Sequence, residues 1–291
     1  MATFLGIAVA TALAWVVITT LWLWRHQERV VFQPPGHAAA APTFARRLEF
    51  TATDGHPLYG YLLSPRRPGP NAATLVIAFH GNADLAAWMV PWAGELAERA
   101  GVRVFVPEYR GYGGIDGTPS YLTAASDAAG AVAFASRTMT PDRVVLFGHS
   151  LGSALASDVA AGMPAPPASL VLQSPFTSAR EMAFRMLVPP IPWLWRKISR
   201  VHYDTRAIVA SLSVSVWVSH GARDVVIPAR MGRQVFLAAR QRGELLVVEG
   251  AGHNDVADLG GERYWRWLTS AVSPPVGELE EERDGRLPRL M

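Results

Sequence analysis

Residues 144–156 read VVLFGHSLGSALA, a run of strand-forming residues that ends in Ser150 and is followed directly by small, helix-forming residues. A strand that turns sharply into a helix at one residue strains the backbone there and brings the flanking residues close together. Gly148 and Gly152 have no side chains to collide at such a turn. An N-cap role explains Ser150 alone and leaves both glycines unexplained. The G-x-S-x-G spacing therefore predicts an elbow that exposes the Ser150 hydroxyl and places the Leu151 N–H at a helix N-terminus.

The composition excludes several classes of function. The chain has 291 residues, of which 50% are hydrophobic, enough to bury one sizeable core. Its net charge is +3, but the arginines are scattered and form no basic stripe among aromatic residues, so we expect no nucleic-acid partner. The absence of cysteine excludes disulfides, cysteine nucleophiles and thiolate metal sites. We expect no metal site, and the sequence does not identify a protein partner.

The N-terminus contains a candidate membrane anchor. Phe4 to Trp24 is a stretch of about 21 residues without a charge, long enough to cross the hydrocarbon core of a bilayer. A cleaved signal peptide would have a basic region before a shorter apolar run and a small-residue cleavage site after it, and none of these is present. A buried core helix is the other alternative. We expect a single-pass anchor.

The charges beside the anchor bear on its orientation. Arg25, Arg29, Arg46 and Arg47 all follow the apolar run, and no basic residue precedes it. The positive-inside rule therefore predicts that the main domain lies on the cytoplasmic side of the membrane. The predicted organisation is an anchor at 1–25, a Pro/Ala-rich linker at 26–44, one catalytic-sized domain at 45–273 and a disordered acidic tail at 274–291.

From Thr74 onward, apolar strands alternate with helices. Two earlier segments, 47–52 and 58–63, predict an antiparallel hairpin. The later strands are predicted at 74–79, 102–109, 144–147, 169–176, 214–220 and 244–250. The intervening helices are predicted at 85–100, 121–137, from 151 onward, 230–241 and 262–272. This alternation predicts an α/β fold with a parallel sheet and helices on both faces.

One long connection, about 177–212, interrupts the alternation. Its aromatic residues Phe184, Trp193 and Trp195 suggest that it contacts an apolar substrate as a lid. Two alternatives remain open: a helical flap on the core, or a segment that dips into the membrane beside the anchor.

His253 is the predicted general base. A serine hydroxyl needs a base to take its proton, and that base needs a third group to orient it. The chain has 8 histidines. His253 follows the last predicted strand, where ligands bind in open parallel sheets. His80 and His220 each end a strand before a glycine and are expected to shape loops, and the His149 side chain is expected to diverge from that of Ser150.

Asp224 is the predicted acid. It follows the strand VSVWV and precedes His253 in the chain, whereas the preceding strand offers no carboxylate and Asp255 and Asp258 come after the histidine. A solvated loop carboxylate paired with Arg223 is the simpler alternative.

The oxyanion hole requires two backbone donors. We predict the N–H of Leu151 and, from the loop His80-Gly81-Asn82-Ala83 after the first parallel strand, the N–H of Asn82, with Ala83 as the alternative.

Five motifs in this order resemble the α/β-hydrolase family: HGNA, PEYRGYGG, GHSLGSALA, ARDVVIP and GAGHND, over roughly residues 45 to 273. The resemblance is closest to membrane-anchored serine hydrolases that include thioesterases, lipid esterases and relatives of the prolyl-aminopeptidase-like hydrolases. It implies an eight-stranded, mostly parallel sheet, a triad of Ser150, Asp224 and His253, and no cofactor.

We therefore expect a serine hydrolase that acts on carboxylic esters or thioesters, with a lipid-like or acylated substrate suggested by the anchor and the aromatic insertion. A serine peptidase or aminopeptidase is the first alternative. A noncatalytic binding or scaffold protein on the same fold is the second.

Overall fold

The structure, a computed structural model, describes residues 1–36, 40 and 42–274. Of the tail predicted at 274–291, residues 275–291 lie outside these residues. The strands are β1 Arg46–Thr51, β2 Pro57–Leu63, β3 Thr74–Phe79, β4 Arg103–Pro107, β5 Arg143–His149, β6 Ser169–Gln173, β7 Ser215–Gly221 and β8 Gln241–Val248. The helices are α1 Ala2–Val31, α2 Ala86–Ala100, α3 Tyr121–Met139, α4 Leu151–Gly162, α5 Ala179–Met186, α6 Ile191–Ile198, α7 Thr205–Ser211, α8 Ala229–Ala238 and α9 Val256–Val272.

The strands form one eight-stranded sheet in the order β1-β2-β4-β3-β5-β6-β7-β8, which confirms the predicted α/β class. Neighbouring strands from β4 to β8 pair in parallel, whereas β2 pairs antiparallel with both β1 and β4. The sheet is therefore mixed. The single reversed strand follows from the short turn between β1 and β2, because only an antiparallel neighbour can be reached by so short a connection.

Helices cover both faces of the sheet. Alternate residues of β3 point to opposite sides: Leu75, Ile77 and Phe79 pack with α3, α4 and α8, while Val76 and Ala78 pack with α2 and α9. Burial on both faces explains why the parallel strands consist almost entirely of apolar residues. The carboxyl ends of β3, β5, β7 and β8 consequently meet along one edge.

The C-terminal boundaries differ from the sequence prediction. Helix α8 ends at Ala238 rather than near residue 241, and β8 begins at Gln241 rather than at 244, because the first residues of this edge strand are polar and exposed. Helix α9 begins at Val256 rather than at 262. It bends at Gly261, where a φ of +48° departs from helical geometry and masks the helical pattern in the sequence.

Helix α1 has the length and composition of a membrane span. It runs past residue 25 to Val31, so the first residues of the predicted linker are helical. An 18-residue stretch within Thr3–Val31 has a mean hydropathy of 2.2, and the apolar side chains of the first two thirds of α1 project away from the rest of the protein. Its last third contacts the insertion and the loop after β3.

The insertion between β6 and β7 folds into α5, α6 and α7. Ile191 and Trp195 of α6 form a small apolar cluster with Leu23 of α1. Arg200, just beyond α6, donates its backbone N–H to Gln27 and its guanidinium to the carbonyl of Trp24. The insertion is therefore packed against the end of α1.

Candidate active site

Ser150 lies at the elbow between β5 and α4. Its φ of +54° and ψ of −116° are strained for a residue with a side chain, and its N–H donates to the Gln173 carbonyl at 2.9 Å. A Cβ at Gly148 would collide with the backbone of Gly152, and a Cβ at Gly152 would collide with the Phe79 carbonyl. The two glycines are thus required by the close approach of β3, β5 and α4.

His253 lies in the loop after β8, with its imidazole between a hydroxyl and a carboxylate. Its Nε2 is 2.9 Å from Ser150 Oγ, and its Nδ1 is 2.7 Å from Asp224 Oδ2. An ionised carboxylate only accepts hydrogen bonds, so Nδ1 carries the proton and the Nε2 lone pair faces the hydroxyl. This arrangement can remove a proton from Ser150.

Asp224 follows β7 and has a buried side chain that accepts hydrogen bonds at both oxygens. Its Oδ1 accepts the backbone N–H groups of Val226 at 2.9 Å and Ile227 at 2.8 Å. Burial opposes ionisation, but hydrogen bonds from His220 and His253 outweigh it and hold the pKa of Asp224 well below its ordinary value. The carboxylate is therefore charged at neutral pH and fixed in orientation.

His220 is a second histidine on this carboxylate, which the sequence analysis assigned only to loop shape. Its Nε2 lies 3.2 Å from Asp224 Oδ2 and 2.8 Å from the Ile227 carbonyl, and the ring is fully buried. A Cβ at Gly232 would strike the ring, so α8 packs directly against it. The i,i+4 spacing of His220, at the end of β7, and Asp224, in the loop after it, is the one sequence signal for this contact, and it has little specificity.

His149 lies beside His253, a contact that the sequence analysis did not predict. Its ring centroid is 5.2 Å from that of His253, and its Nε2 is 3.3 Å from the His253 carbonyl. The side chain does diverge from that of Ser150, but the loop after β8 folds over it. Burial, followed by repulsion from the neighbouring His253, lowers the pKa of His149 to about 4, so this ring is neutral at pH 7.

The loop after β3 lies beside Ser150. Asn82 and Ala83 line the same cavity as Ser150, and a Cβ at Gly81 would lie 3.4 Å from the Ser150 Cβ. Leu151 is the first residue of α4, so its N–H is among those that lack an acceptor within the helix. Both predicted oxyanion donors thus belong to segments that border the hydroxyl.

A buried hydrogen-bonded pair, His80 and Glu108, supports this loop. His80 Nε2 is 2.8 Å from Glu108 Oε1, and both side chains are fully buried. The other carboxylate oxygen accepts the N–H of Ala86 at 3.0 Å. Burial alone would lower the pKa of His80, but Glu108 raises it above the ordinary value. The pair therefore fastens both ends of the segment that carries Asn82.

The cavity at Ser150 has a volume of about 780 Å³. One part of its lining is apolar and largely aromatic: Trp88, Met89, Trp92, Phe147 and Trp265. Another part carries three carboxylates: Asp84, Glu95 and Asp258. Within the described residues, no three His, Asp or Glu side chains are placed to hold a metal ion. The cavity offers an apolar wall and an acidic edge to a bound molecule.

The aromatic residues of the insertion lie elsewhere. Phe184 and Trp195 border a separate cavity of about 520 Å³ inside the insertion, and Trp193 is half exposed on its surface. None of these three lines the cavity at Ser150. The structure therefore does not support the prediction that they bind substrate, because α6 packs against α1 instead of closing over the serine.

Comparisons with known proteins identify relatives of this chain. Residues 70–209 match the family model for serine aminopeptidase, S33. The chain is 34% identical over 263 residues to an uncharacterised protein of Mycobacterium tuberculosis, covering 88% of this chain and 89% of that protein. It is 31% identical over 210 residues to α/β hydrolase domain-containing protein 17B of Xenopus tropicalis, covering 71% of this chain and 70% of that protein.

Solved structures share the fold at lower identity. An esterase of Pyrococcus furiosus superposes with a TM-score of 0.64 at 19% identity, covering 81% of this chain and 96% of the esterase.

Proposed function

The chain belongs to the α/β-hydrolase family, and from this premise we propose that it is a serine hydrolase that cleaves carboxylic esters or thioesters of lipid-like or acylated substrates. The proposal rests on the hydrogen bonds that join Ser150, His253 and Asp224. A strained serine whose hydroxyl meets an oriented imidazole has no use in a scaffold, which argues against the noncatalytic alternative.

The proposed mechanism proceeds through an acyl-enzyme. Ser150 Oγ attacks the carbonyl carbon while His253 Nε2 takes its proton, and the N–H groups of Leu151 and Asn82 stabilise the oxyanion that forms. The oxyanion collapses, the bond to the leaving group breaks, and His253 returns the proton to the departing alcohol or thiol. Water then attacks the acyl-enzyme with the same base, which releases the acid and restores Ser150. Asp224 stabilises the imidazolium in both halves.

The lining of the cavity supports an apolar acyl group. Trp88, Trp92 and Trp265 provide aromatic surface near Ser150, which suits an alkyl or aryl chain that needs few polar contacts. Esters and thioesters are preferred over amides because their leaving groups need less protonation. We also propose that α1 anchors the enzyme in a membrane, and that the arginines after it keep the catalytic domain on the cytoplasmic side.

An aminopeptidase activity is the second candidate. The carboxylates of Asp84, Glu95 and Asp258 line the same cavity and offer partners for a free amino terminus. The matching family model is described as a serine aminopeptidase, which agrees with this observation. Glu95 already pairs with Arg99, which reduces the acidic character of the edge.

Labelling with a fluorophosphonate tests the proposal on the full-length protein in detergent. We expect labelling of the wild type, none for Ser150→Ala and strongly slowed labelling for His253→Ala. Turnover of p-nitrophenyl esters of increasing chain length, measured beside aminoacyl p-nitroanilides, then separates the two candidates. A preference for the anilides would support the aminopeptidase activity over the esterase activity. Folded wild-type protein that does not label would favour the noncatalytic alternative.

A further inference from the structure

The insertion exposes a group of large apolar side chains. We call them the insertion face: Phe184, Met186, Val188, Trp193 and Leu194, of which Met186 is 70% and Trp193 51% exposed. Phe184 and Trp193 touch edge to face, with ring centroids 5.5 Å apart, so the face is partly preassembled. A clustered apolar surface of this kind marks an interaction site on a soluble domain.

The insertion face lies at the depth where α1 would leave a bilayer. An uncharged helical stretch from Phe4 to Trp24 spans about 30 Å, the thickness of the hydrocarbon core. Leu23, near the end of this stretch, is buried against Ile191 and Trp195 of α6. Since α6 contacts α1 at the boundary of the hydrocarbon, its exposed residues Trp193 and Leu194 are held near the same boundary.

Polar groups around this contact match a membrane interface. The guanidinium carbon of Arg200 lies 5.3 Å from the ring centroid of Trp24, and the last turn of α6 contains Arg196 and Lys197. Tryptophan and basic residues are the groups that anchor helices at the level of lipid headgroups. Amphipathic helices that lie in the interface combine such residues with an apolar side. A bilayer with anionic headgroups therefore complements both the charge and the apolar surface of α6.

The insertion contacts a loop at the mouth of the cavity at Ser150. Arg185 of α5 donates a hydrogen bond of 2.8 Å to the carbonyl of Val225. Val225 and Val226 are exposed, and Val226 lines the cavity. The insertion therefore contacts both α1 and the loop at the rim of the site.

We propose that the insertion face docks on the lipid bilayer that α1 enters. Continuity with α1 identifies the bilayer as the occupant: a second copy of the chain would have to approach the face beside the membrane, and a cover over the cavity would require α6 to leave α1. The inference rests on the proposed membrane anchor but not on the proposed catalytic activity. It assigns the insertion to membrane contact rather than to a lid.

The chain contains no cysteine, so single-cysteine variants can be spin-labelled in an otherwise native background. Full-length Trp193→Cys, Leu194→Cys and Met186→Cys are reconstituted into vesicles of phosphatidylcholine and phosphatidylglycerol. Leu237→Cys is the matched control, because it is exposed at the end of α8, on the edge of the sheet opposite to Ser150. Leu13→Cys, exposed in the middle of α1, reports whether the anchor has inserted.

Collision of the labels with oxygen, which concentrates in lipid, is compared with collision with a water-soluble nickel complex. We expect collisions with oxygen to dominate for labels at positions 13, 186, 193 and 194, and collisions with the nickel complex to dominate at position 237. A lipid signal at 13 together with nickel access at 193 equal to that at 237 would overturn the inference while the anchor stands. Labels at 193 shielded from both reagents would indicate a cover over the cavity. Spectral broadening that disappears on dilution with unlabelled protein would indicate a second copy. Either result would also overturn it.

Discussion

The side-chain amide of Asn82 donates a hydrogen bond of 2.7 Å to the backbone carbonyl of Val31, the last residue of α1. Its Oδ1 accepts the backbone N–H of Gln33 at 2.9 Å and the hydroxyl of Tyr112 at 2.8 Å. The end of the proposed membrane anchor is therefore fastened to the residue whose backbone N–H is the proposed second oxyanion donor. The sequence contains no signal for this contact, because it joins segments that are 51 residues apart.

Asn82→Ala removes the bonds between the loop and α1 and keeps the backbone N–H. We expect kcat for a short p-nitrophenyl ester to decrease about tenfold, because a small displacement of an oxyanion donor weakens the interaction formed in the transition state. KM should change less than kcat. Tyr112→Phe is the control: it removes one donor to Asn82 and leaves the bonds of Asn82 to Val31 and Gln33. Equal losses in the two variants would show that the link to α1 does not position the loop.

Substitution of His220 tests its contact with Asp224. Because the hydrogen bond from His220 helps to keep the pKa of Asp224 low, His220→Ala should raise that pKa toward the ordinary value. We expect kcat to decrease about tenfold, consistent with the loss of one hydrogen bond to a charged group, with KM nearly constant. The acid side of the pH–activity profile should shift to higher pH, since Asp224 takes up a proton earlier.

His220→Gln retains a donor and should recover part of both effects. A uniform loss of folded protein, with an unshifted pH profile in the remaining active fraction, would assign His220 a purely structural role.

Trp88→Ala tests the apolar wall of the cavity. Trp88 is about half exposed and lines the cavity, so its truncation removes apolar contact from a long acyl chain and little from an acetyl group. At roughly 25 cal/mol per Å², a loss of about 50 Å² corresponds to about 1 kcal/mol, or five- to tenfold in kcat/KM for the long ester. Trp193→Ala lies outside the cavity and should leave kcat/KM for both esters unchanged in detergent. Equal effects on acetate and long-chain esters would contradict the assignment of this wall.

Part of the site could be predicted from the sequence because the chemistry of each position is local. The two glycines around Ser150 indicate an elbow where a side chain would collide with the backbone. His253 and Asp224 each follow a strand of a parallel sheet, so their loops lie at the same edge. The contacts of His149 and His220 depend instead on how loops from different strands fold over one another. That information lies in the tertiary structure and has no local pattern.

The role of the insertion also could not be predicted from local sequence patterns. Its aromatic composition was compatible with a lid and with a membrane contact, because both require exposed apolar side chains. The packing of Trp195 on Leu23 favours the proposed membrane contact, and it joins residues far apart in the chain.

Ionisation of Asp158 in α4 should make the free energy of unfolding depend on pH. Burial raises the pKa of Asp158 to about 6. Between the ordinary value of about 4 and pH 6, the folded protein keeps a proton that the unfolded chain has lost, so stability decreases as the pH rises. Asp158→Asn cannot ionise and avoids this penalty. Its advantage over the wild type should increase from pH 4.5 to pH 7.5 by on the order of 2 kcal/mol.

Thermal unfolding in detergent at the two pH values measures the difference. Asp142→Asn, at an exposed carboxylate, serves as the control and should show no such trend. An Asp158→Asn effect independent of pH would mean that the carboxyl is not ionising in this range in the folded protein.

Two glycines of α4 provide a matched pair of substitutions. A Cβ at Gly152 would collide with the carbonyls of Phe79 and His80, which belong to the backbone and cannot rotate away, whereas a Cβ at Gly162 would have no heavy atom within 4 Å. Gly152→Ala should therefore push α4 away from β3, destabilise the protein by more than about 2 kcal/mol and abolish fluorophosphonate labelling of any folded fraction. Gly162→Ala should retain labelling and be neutral or stabilising by up to about 1 kcal/mol, because alanine loses less backbone entropy in a helix.

Unfolding midpoints and labelling rates of the two variants, measured side by side, check both statements. A Gly152→Ala protein that folds and labels like the wild type would show that the elbow tolerates a side chain, and that the close approach of β3 and α4 does not explain the glycine.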